Sequence, residues 1–193
     1  MATGSYTLEQ FVHDMKDLQS GGTDDAAVLD KGSSFLERLV NNPDCIPQEY
    51  RVPSNRGNRV HGSYLLHRSD NLLVSAEVWG PGDHVDPHDH RVWGMIGVLD
   101  NTLNEIRFRW HPDETRPGFG RLEKDRDVLS KPGEVSLLVP GVDEIHQIDN
   151  PDSRPTVEIH VYGQDLNRIE RCRFDMATGA KVDFRSKSKY DNE

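Results

Sequence analysis

A short segment of the chain, HVDPHDHRVWG at residues 84–94, holds three histidines and two aspartates. Residues two apart in a β-strand point to the same face, so His88 and His90 are predicted to project side by side. Two neutral imidazoles in this position, with a third from another strand, can hold a divalent transition metal and leave several coordination positions open. The pair alone is a weak indication, because most surface histidine pairs bind nothing.

The histidine-rich segment lies in a region whose sequence predicts strands. Short runs rich in valine, isoleucine, leucine and aromatic residues follow Pro53, separated by turn sequences such as GPGD, KPGE and VPGVD. Such runs are typical of an all-β sandwich or barrel. Strands are predicted near residues 72–79, 90–99, 103–110, 134–139, 144–148, 156–162 and 168–175.

Two helices are predicted ahead of these strands. Residues 7–20 place apolar side chains on one helical face, and Thr7 with Gln10 has the spacing of a capping box. The same apolar spacing recurs over residues 24–41, although Gly32 weakens the pattern there.

Length and composition predict one domain. We expect a helical segment at residues 1–52, a β-barrel at 53–184 and a disordered polar tail at 185–193. The formal net charge is -10, from 33 acidic and 23 basic residues, and no basic patch interrupts it. Nucleic acid is therefore not an expected partner, since its phosphates would be repelled.

Other features of the sequence predict a cytoplasmic protein. The N-terminal residues lack a basic stretch followed by an apolar run, and nowhere do about 18 apolar residues occur in succession, so no membrane association is expected. Cys45 and Cys172 lie far apart and are predicted to be free thiols rather than zinc ligands or a disulfide. The sequence does not indicate the oligomeric state.

A second segment completes a recognisable pattern with the first. Gly82 stands six residues before His88, and residues 133–150, GEVSLLVPGVDEIHQIDN, supply glycine, proline and a further histidine, His146. This arrangement resembles the two motifs of the cupins, G-x5-H-x-H and a later segment with Pro, Gly, His and Asn. The resemblance implies a double-stranded β-helix, or jelly-roll barrel, in which the two motifs meet at a metal.

The cupin pattern is modified at one ligand. Cupins usually place a glutamate three or four residues after the second histidine, where this chain has Gly94 and Met95. A three-histidine cupin with the words WGPG, HDHRVWG, IHQ and HVYG resembles the thiol dioxygenases, the family of cysteine dioxygenase, and is most similar to the bacterial 3-mercaptopropionate dioxygenase branch. This resemblance implies Fe(II) as cofactor, bound by His88, His90 and His146.

The resemblance also implies an activity. The chain is expected to be a non-haem Fe(II) enzyme that converts a small carboxylate-bearing thiol to its sulfinate and incorporates both atoms of O2. A small thiol acid and O2 are then its expected partners.

The segment TVEIHVYG bears on the same resemblance. Glu158, His160 and Tyr162 alternate onto one strand face, while branched aliphatic residues take the other. The thiol dioxygenases have Ser-x-His-x-Tyr here, a hydrogen-bonded relay that places a tyrosine hydroxyl near the metal. His160 and Tyr162 fit that relay, and Glu158 stands in place of the serine.

Further residues are assigned to the substrate by the resemblance. Arg171, nine residues after Tyr162, matches the arginine that binds the substrate carboxylate, and a guanidinium suits that task. Ser63 takes the position of an arginine or glutamine anchor, which a serine cannot reproduce. Trp93 is predicted either to line the pocket or to pack in the core. Gly94 replaces the cysteine that is crosslinked to tyrosine in cysteine dioxygenases, so no crosslink is expected.

The remaining histidines are predicted to have no part in catalysis. His84 precedes His88 by four residues and is predicted to end a loop. The others are predicted to be structural or exposed to solvent: His13, His61, His67 and His111.

Two alternatives stay open at the level of sequence. A three-histidine cupin can act on a non-thiol substrate, as a dioxygenase that cleaves a carbon-carbon bond, a lyase or an isomerase, and Glu158 favours this as a general base or a partner for a cationic group. A cupin can also bind a small molecule without catalysis. Because Ser63 and Glu158 depart from the family pattern, the sequence does not identify the thiol.

Overall fold

The chain begins with two helices, α1 (Leu8–Ser20) and α2 (Asp25–Val40), as the apolar spacing predicted. Thr7 and Asp24 cap them, because each side chain accepts a hydrogen bond from the backbone N–H three residues later. Neither helix combines the length and apolarity needed to cross a bilayer. The computed structural model describes residues 5–57, 59–187 and 189–193.

In the described residues, twelve strands follow a short 3₁₀ helix at Gln48–Arg51. They are β1 (Asn55–Arg56), β2 (Arg59–Arg68), β3 (Leu73–Trp79), β4 (His84–His88), β5 (Gly94–Asp100), β6 (Leu103–Pro112), β7 (Gly120–Ser130), β8 (Val135–Leu138), β9 (His146–Asp149), β10 (Thr156–Tyr162), β11 (Glu170–Asp175) and β12 (Ala180–Arg185).

These strands form two antiparallel sheets. The first has the order β1-β2-β3-β10-β5-β8, and the second has the order β12-β11-β4-β9-β6-β7. In the middle of each sheet, neighbouring strands are distant in sequence, as β3 and β10 or β4 and β9 are, which is the connectivity of a double-stranded β-helix rather than of a simple meander. The predicted fold is confirmed: a mainly β jelly-roll barrel preceded by two helices.

Several strands were not predicted. β7 carries the sequence GRLEKDRDVLS and lies at an edge of the second sheet, where most of its side chains are exposed. A solvated edge strand needs no apolar face, so its composition gives no alternating signal. The predicted strand at residues 90–99 is also shorter in the structure, because the chain turns before β5 begins at Gly94.

Helix α2 covers the outer face of β5. Leu36 and Val40 pack so closely on Gly97 that a Cβ atom there would lie 2.8 Å from Val40. Gly32, which weakened the helical pattern, has a packing role, because Met15 of α1 and Met95 of β5 both approach it. The helices thus seal one side of the barrel with a continuous apolar core.

Strand β10 separates this core from the barrel interior. Its aliphatic side chains belong to the core under the helices, as the alternation predicted. His160 and Tyr162 point the other way and line an internal cavity. All seven residues of β10 are buried, so the polar ones must find partners inside the protein.

The polar tail differs from its prediction as a disordered segment. Strand β1 pairs with only the first residues of β2, which leaves the remaining edge of β2 open. The tail fills it: Asp191 donates its backbone N–H to Ser63 O at 2.7 Å, and the Asn192 side chain makes two hydrogen bonds with the Leu65 backbone. Tyr190 is buried beside them.

Replacing Leu36 by alanine is expected to destabilise the fold. Leu36 is fully buried between α2 and β5, so the change removes apolar contacts and leaves a cavity that costs about 2–5 kcal/mol of unfolding free energy. Leu129→Ala is the matched control, because that side chain is 59% exposed and its loss should cost less than about 0.5 kcal/mol. Urea unfolding followed by circular dichroism measures both, and equal stabilities of the two variants would contradict this packing.

Candidate functional site

Three histidines from two strands and one turn converge inside the barrel. His88 ends β4, His146 begins β9, and the two residues face each other across the β4-β9 pair. His90 follows in the turn after β4. One ring nitrogen of each lies within 4.8 Å of the others, and all three side chains are buried.

The predicted placement of His88 and His90 on one strand was wrong. His88 and His90 do not alternate along one strand, since β4 ends at His88 and Arg91 takes a positive φ of 55°. The turn is held by Glu144, whose carboxylate accepts the backbone N–H groups of His90 at 3.3 Å and Arg91 at 2.7 Å. A buried carboxylate from the second motif therefore brings the second ligand to the first.

Two of the rings are fixed by hydrogen bonds on their outer nitrogens. His146 Nδ1 donates to Glu105 at 2.6 Å, and His88 Nδ1 donates to the backbone oxygen of Asp86 at 2.9 Å. Both rings thus direct Nε2 into the cluster, the arrangement that metal-binding histidines use. His146 Nε2 and His90 Nε2 lie 3.0 Å apart.

Glu105 is itself held by a buried network. Arg107 donates to its carboxylate at 3.2 Å and to Ser136 at 2.6 Å, and the Ser136 hydroxyl donates to the same carboxylate. Burial alone would raise the pKa of Glu105, but His146 and Arg107 lower it to about 2. Glu105 is therefore an ionised acceptor for His146 at neutral pH.

The three histidines of the cluster are neutral, so each could offer a nitrogen lone pair to a metal. Burial lowers the pKa of His88 and His90 well below the ordinary value, and the positive charge of Arg171 acts in the same direction. Burial also lowers the pKa of His146. Three neutral imidazoles without a carboxylate among them could hold a divalent transition metal through nitrogen alone, with one side of the ion left open.

A chain of hydrogen bonds runs beside the cluster. The Tyr162 hydroxyl and His160 Nδ1 lie 2.9 Å apart, and His160 Nε2 lies 2.8 Å from Glu158, which also accepts from Trp79 Nε1 at 2.8 Å. The Tyr162 ring stacks on His90 with centroids 4.7 Å apart. The predicted Glu158, His160 and Tyr162 are thus brought together next to the histidines.

Gly94 allows Tyr162 to take this position. The two residues pair across β5 and β10, and a Cβ atom on Gly94 would lie 2.8 Å from the tyrosine ring. Position 94 therefore touches the ring edge, and a glycine there offers no sulfur for a crosslink.

The histidines and Tyr162 line a cavity of about 230 Å³. Arg171, predicted to bind a carboxylate, lines it too, with Nη1 3.2 Å from His90 Nδ1 and no hydrogen-bond partner on its buried Nε. Ser63 lies in the opposite wall. Of the two positions predicted for Trp93, the structure has the second: the indole packs against Gly163 in the core under the helices rather than lining the cavity.

The cavity lining also includes residues to which the sequence gave no role in the site. His61, predicted to be structural or exposed, lines the cavity, and so does Glu77 of β3. The signal was present in β3, where Ser75, Glu77 and Trp79 alternate with aliphatic residues. His84 lies outside the cluster with its side chain 62% exposed, as predicted.

Comparison with known proteins concerns the fold only. No protein-family model matches the chain. A cupin-2 domain protein of Rhodospirillum rubrum is 13% identical over 66% of this chain and 76% of its own, with a TM-score of 0.48. A cupin superfamily protein of Desulfitobacterium hafniense is 18% identical over 62% and 95%, with a TM-score of 0.41. A double-stranded beta-helix protein of Klebsiella pneumoniae is 16% identical over 64% and 87%, with a TM-score of 0.45.

Removing a predicted ligand should abolish metal binding. His146→Ala and His90→Ala each leave two imidazoles, too few to hold a divalent ion against dilution, whereas wild type should retain close to one ion per chain. Anaerobic loading with Fe(II), desalting and elemental analysis give the stoichiometry. His84→Ala is the control from the same segment and should match wild type; equal metal in all variants would place the metal elsewhere.

Proposed function

We propose that the protein is a non-haem Fe(II) thiol dioxygenase, which converts a small carboxylate-bearing thiol to its sulfinate with O2. The observation that carries the proposal is the open cluster His88, His90 and His146, with no carboxylate ligand, flanked by Arg171 and Tyr162 in one cavity. The resemblance of the HDHRVWG and HVYG segments to thiol dioxygenases points to the same reaction.

The charge of the cluster suits an anionic substrate. Neutral imidazoles would leave a bound Fe(II) with its full positive charge, which would favour a thiolate over a thiol. When bound, Fe(II) supplies the electron chemistry that lets dioxygen react with sulfur. The balance is RS⁻ + O2 → RSO2⁻: both oxygen atoms form bonds to sulfur, sulfur is oxidised and dioxygen is reduced, and the thiol would lose its proton to solvent before it reacts as the thiolate.

Arg171 is proposed to hold the substrate carboxylate. Arg171 is 7% exposed, lines the cavity beside His90 and retains donor capacity on its Nε. A planar guanidinium can donate two parallel hydrogen bonds to a carboxylate, which fixes both position and orientation. The sulfur would then be kept on the open side of the histidine cluster.

Tyr162 is proposed to donate a hydrogen bond to the reacting atoms. Burial raises the pKa of its hydroxyl well above the ordinary value, so the phenol keeps its proton. His160 fixes the hydroxyl, and Glu158 fixes the ring of His160 from the far side. Glu158 is a positioning residue in this proposal, because it does not line the cavity.

The position of Glu158 bears on the alternative of a non-thiol substrate, and the identity of the metal tests that alternative. Glu158 favoured a non-thiol substrate as a general base, but its carboxylate is fully buried behind His160 and Trp79, away from the cavity. The metal present in protein purified from its natural host separates the alternatives: iron supports the oxygenase, whereas zinc or nickel supports a lyase or isomerase.

Oxygen uptake tests the proposed reaction. Iron-loaded protein should consume O2 and form sulfinate in equal amounts with at least one of 3-mercaptopropionate, cysteine, mercaptosuccinate and cysteamine. An oxygen electrode and mass spectrometry of the product give the two quantities, and His146→Ala is the inactive control. No sulfinate from any thiol, with iron bound, would overturn the proposal.

Tyr162→Phe should slow turnover without affecting iron binding. Loss of one positioned donor at a reacting centre costs roughly a hundredfold in kcat, while a carboxylate held by Arg171 should keep KM nearly unchanged. Steady-state kinetics of sulfinate formation measure both constants. Tyr6→Phe is the control, since Tyr6 donates to Asp14 in the helical segment. A wild-type kcat for Tyr162→Phe would remove the tyrosine from the mechanism.

A further inference from the structure

One part of the cavity wall is formed by the tail. Tyr190 lines the cavity and is 8% exposed, whereas its neighbours Lys189 and Asp191 are exposed to solvent. Because the ring is buried between two exposed neighbours, it separates this part of the cavity from solvent. It belongs to an apolar cluster with Leu73, and Leu166 packs against that cluster. Both leucines also line the cavity, so the wall is apolar here.

The backbone next to Tyr190 is fixed by hydrogen bonds to the edge of β2. The Asp191 carboxylate accepts the backbone N–H of Ser63 at 2.9 Å and the hydroxyl of Ser54 at 3.0 Å. The Asp191 N–H donates in turn to the Ser63 carbonyl, so one tail residue makes a reciprocal pair with the strand. These bonds hold the tail where the ring of Tyr190 reaches the cavity.

Arg68 of β2 holds the ring itself. Its guanidinium carbon lies 5.3 Å from the centroid of the Tyr190 ring, a distance at which a cation attracts an aromatic face. The same guanidinium lies 2.9 Å from the carboxylate of Glu193 and 3.4 Å from that of Asp165. Burial raises the pKa of Tyr190, and the charge of Glu77 acts in the same direction. The hydroxyl therefore keeps its proton, and the wall is neutral.

The volume of the cavity gives this wall a consequence for ligand size. The cavity measures about 230 Å³, less than the roughly 300–1,000 Å³ of pockets that take drug-sized ligands. A ligand with its sulfur at the histidine cluster and its carboxylate on Arg171 has little further room. Additional carbon atoms would have to displace a side chain of the lining, and close-packed walls resist such insertion. Tyr190 is the large apolar side chain between this space and solvent.

We propose that Tyr190 is a specificity-determining residue that limits the substrate to a thiol acid with a short carbon chain. This inference rests on the proposed function, and it adds which residue enforces the size limit. The limit is steric, because the ring fills the space that further methylene groups would need. Shortening the side chain should open the cavity toward solvent and admit longer acids.

Tyr190→Ala and Tyr190→Leu test this wall with 3-mercaptopropionate and 6-mercaptohexanoate, which differ only in chain length. Wild type should favour the shorter thiol about a hundredfold in kcat/KM, and both variants should reduce that ratio about tenfold or more, chiefly through a lower KM for the longer thiol. Tyr190→Phe keeps the ring and should keep the ratio. Tyr50→Ala is the matched control, because Tyr50 stacks on Tyr64 away from the cavity lining.

A binding measurement separates failure of this inference from failure of the proposed function. Propionate and hexanoate have the same difference in length without sulfur, and saturation-transfer NMR with the full chain, without added metal, compares their binding. Hexanoate binding that is gained in Tyr190→Leu, and absent from wild type and Tyr190→Phe, supports the wall even if no thiol is oxidised. Equal binding of both acids to wild type, or no gain of hexanoate binding in folded Tyr190→Ala and Tyr190→Leu proteins, would overturn it.

Discussion

The buried ion pair between Glu105 and Arg107 is the constraint on which the candidate site depends. Both residues lie on β6 of the second sheet, and Ser136, which bonds to both, lies on β8 of the first. The network thus ties the sheets together directly beneath His146. Arg107 also donates to the backbone oxygen of Asp143, next to the carboxylate that holds the His90 turn. A buried charge without its partner is costly, so the network admits few other arrangements of the histidines.

Sequence patterns predicted those parts of the molecule in which each element buries one face. The helices, their caps and the alternation along β10 follow from local spacing, and the cluster of His88, His90 and His146 follows from motif resemblance. The turn that separates His88 from His90 did not follow, because it is imposed by Glu144 from a distant segment. Glu105 could not be predicted for the same reason, because it meets His146 only through folding that joins residues 41 apart in sequence. Glu77, in contrast, was visible in the alternation along β3.

The two sheets divide the tasks of the cavity between them. The second sheet, with the turn after β4, contributes the three-histidine cluster and Arg171. The first sheet contributes Tyr162, His160 and Glu77. The cavity between the sheets therefore has Arg171 on one side and Glu77, paired with His61, on the other. Two glycines of β5 permit close contacts on the two faces of that strand: Gly94 meets Tyr162 on the inner face, and Gly97 meets α2 on the outer face.

The tail along β2 bears on the behaviour of the protein at high concentration. An uncovered strand edge presents unpaired N–H and C=O groups that can template association with another chain. Asp191 and Asn192 occupy these groups at Ser63 and Leu65, and the arginine and glutamate side chains Arg68 and Glu193 pair beside them. Asp191 and Asn192 therefore cover an edge that could otherwise pair with another chain. Asp191 also holds Ser63, which lines the cavity.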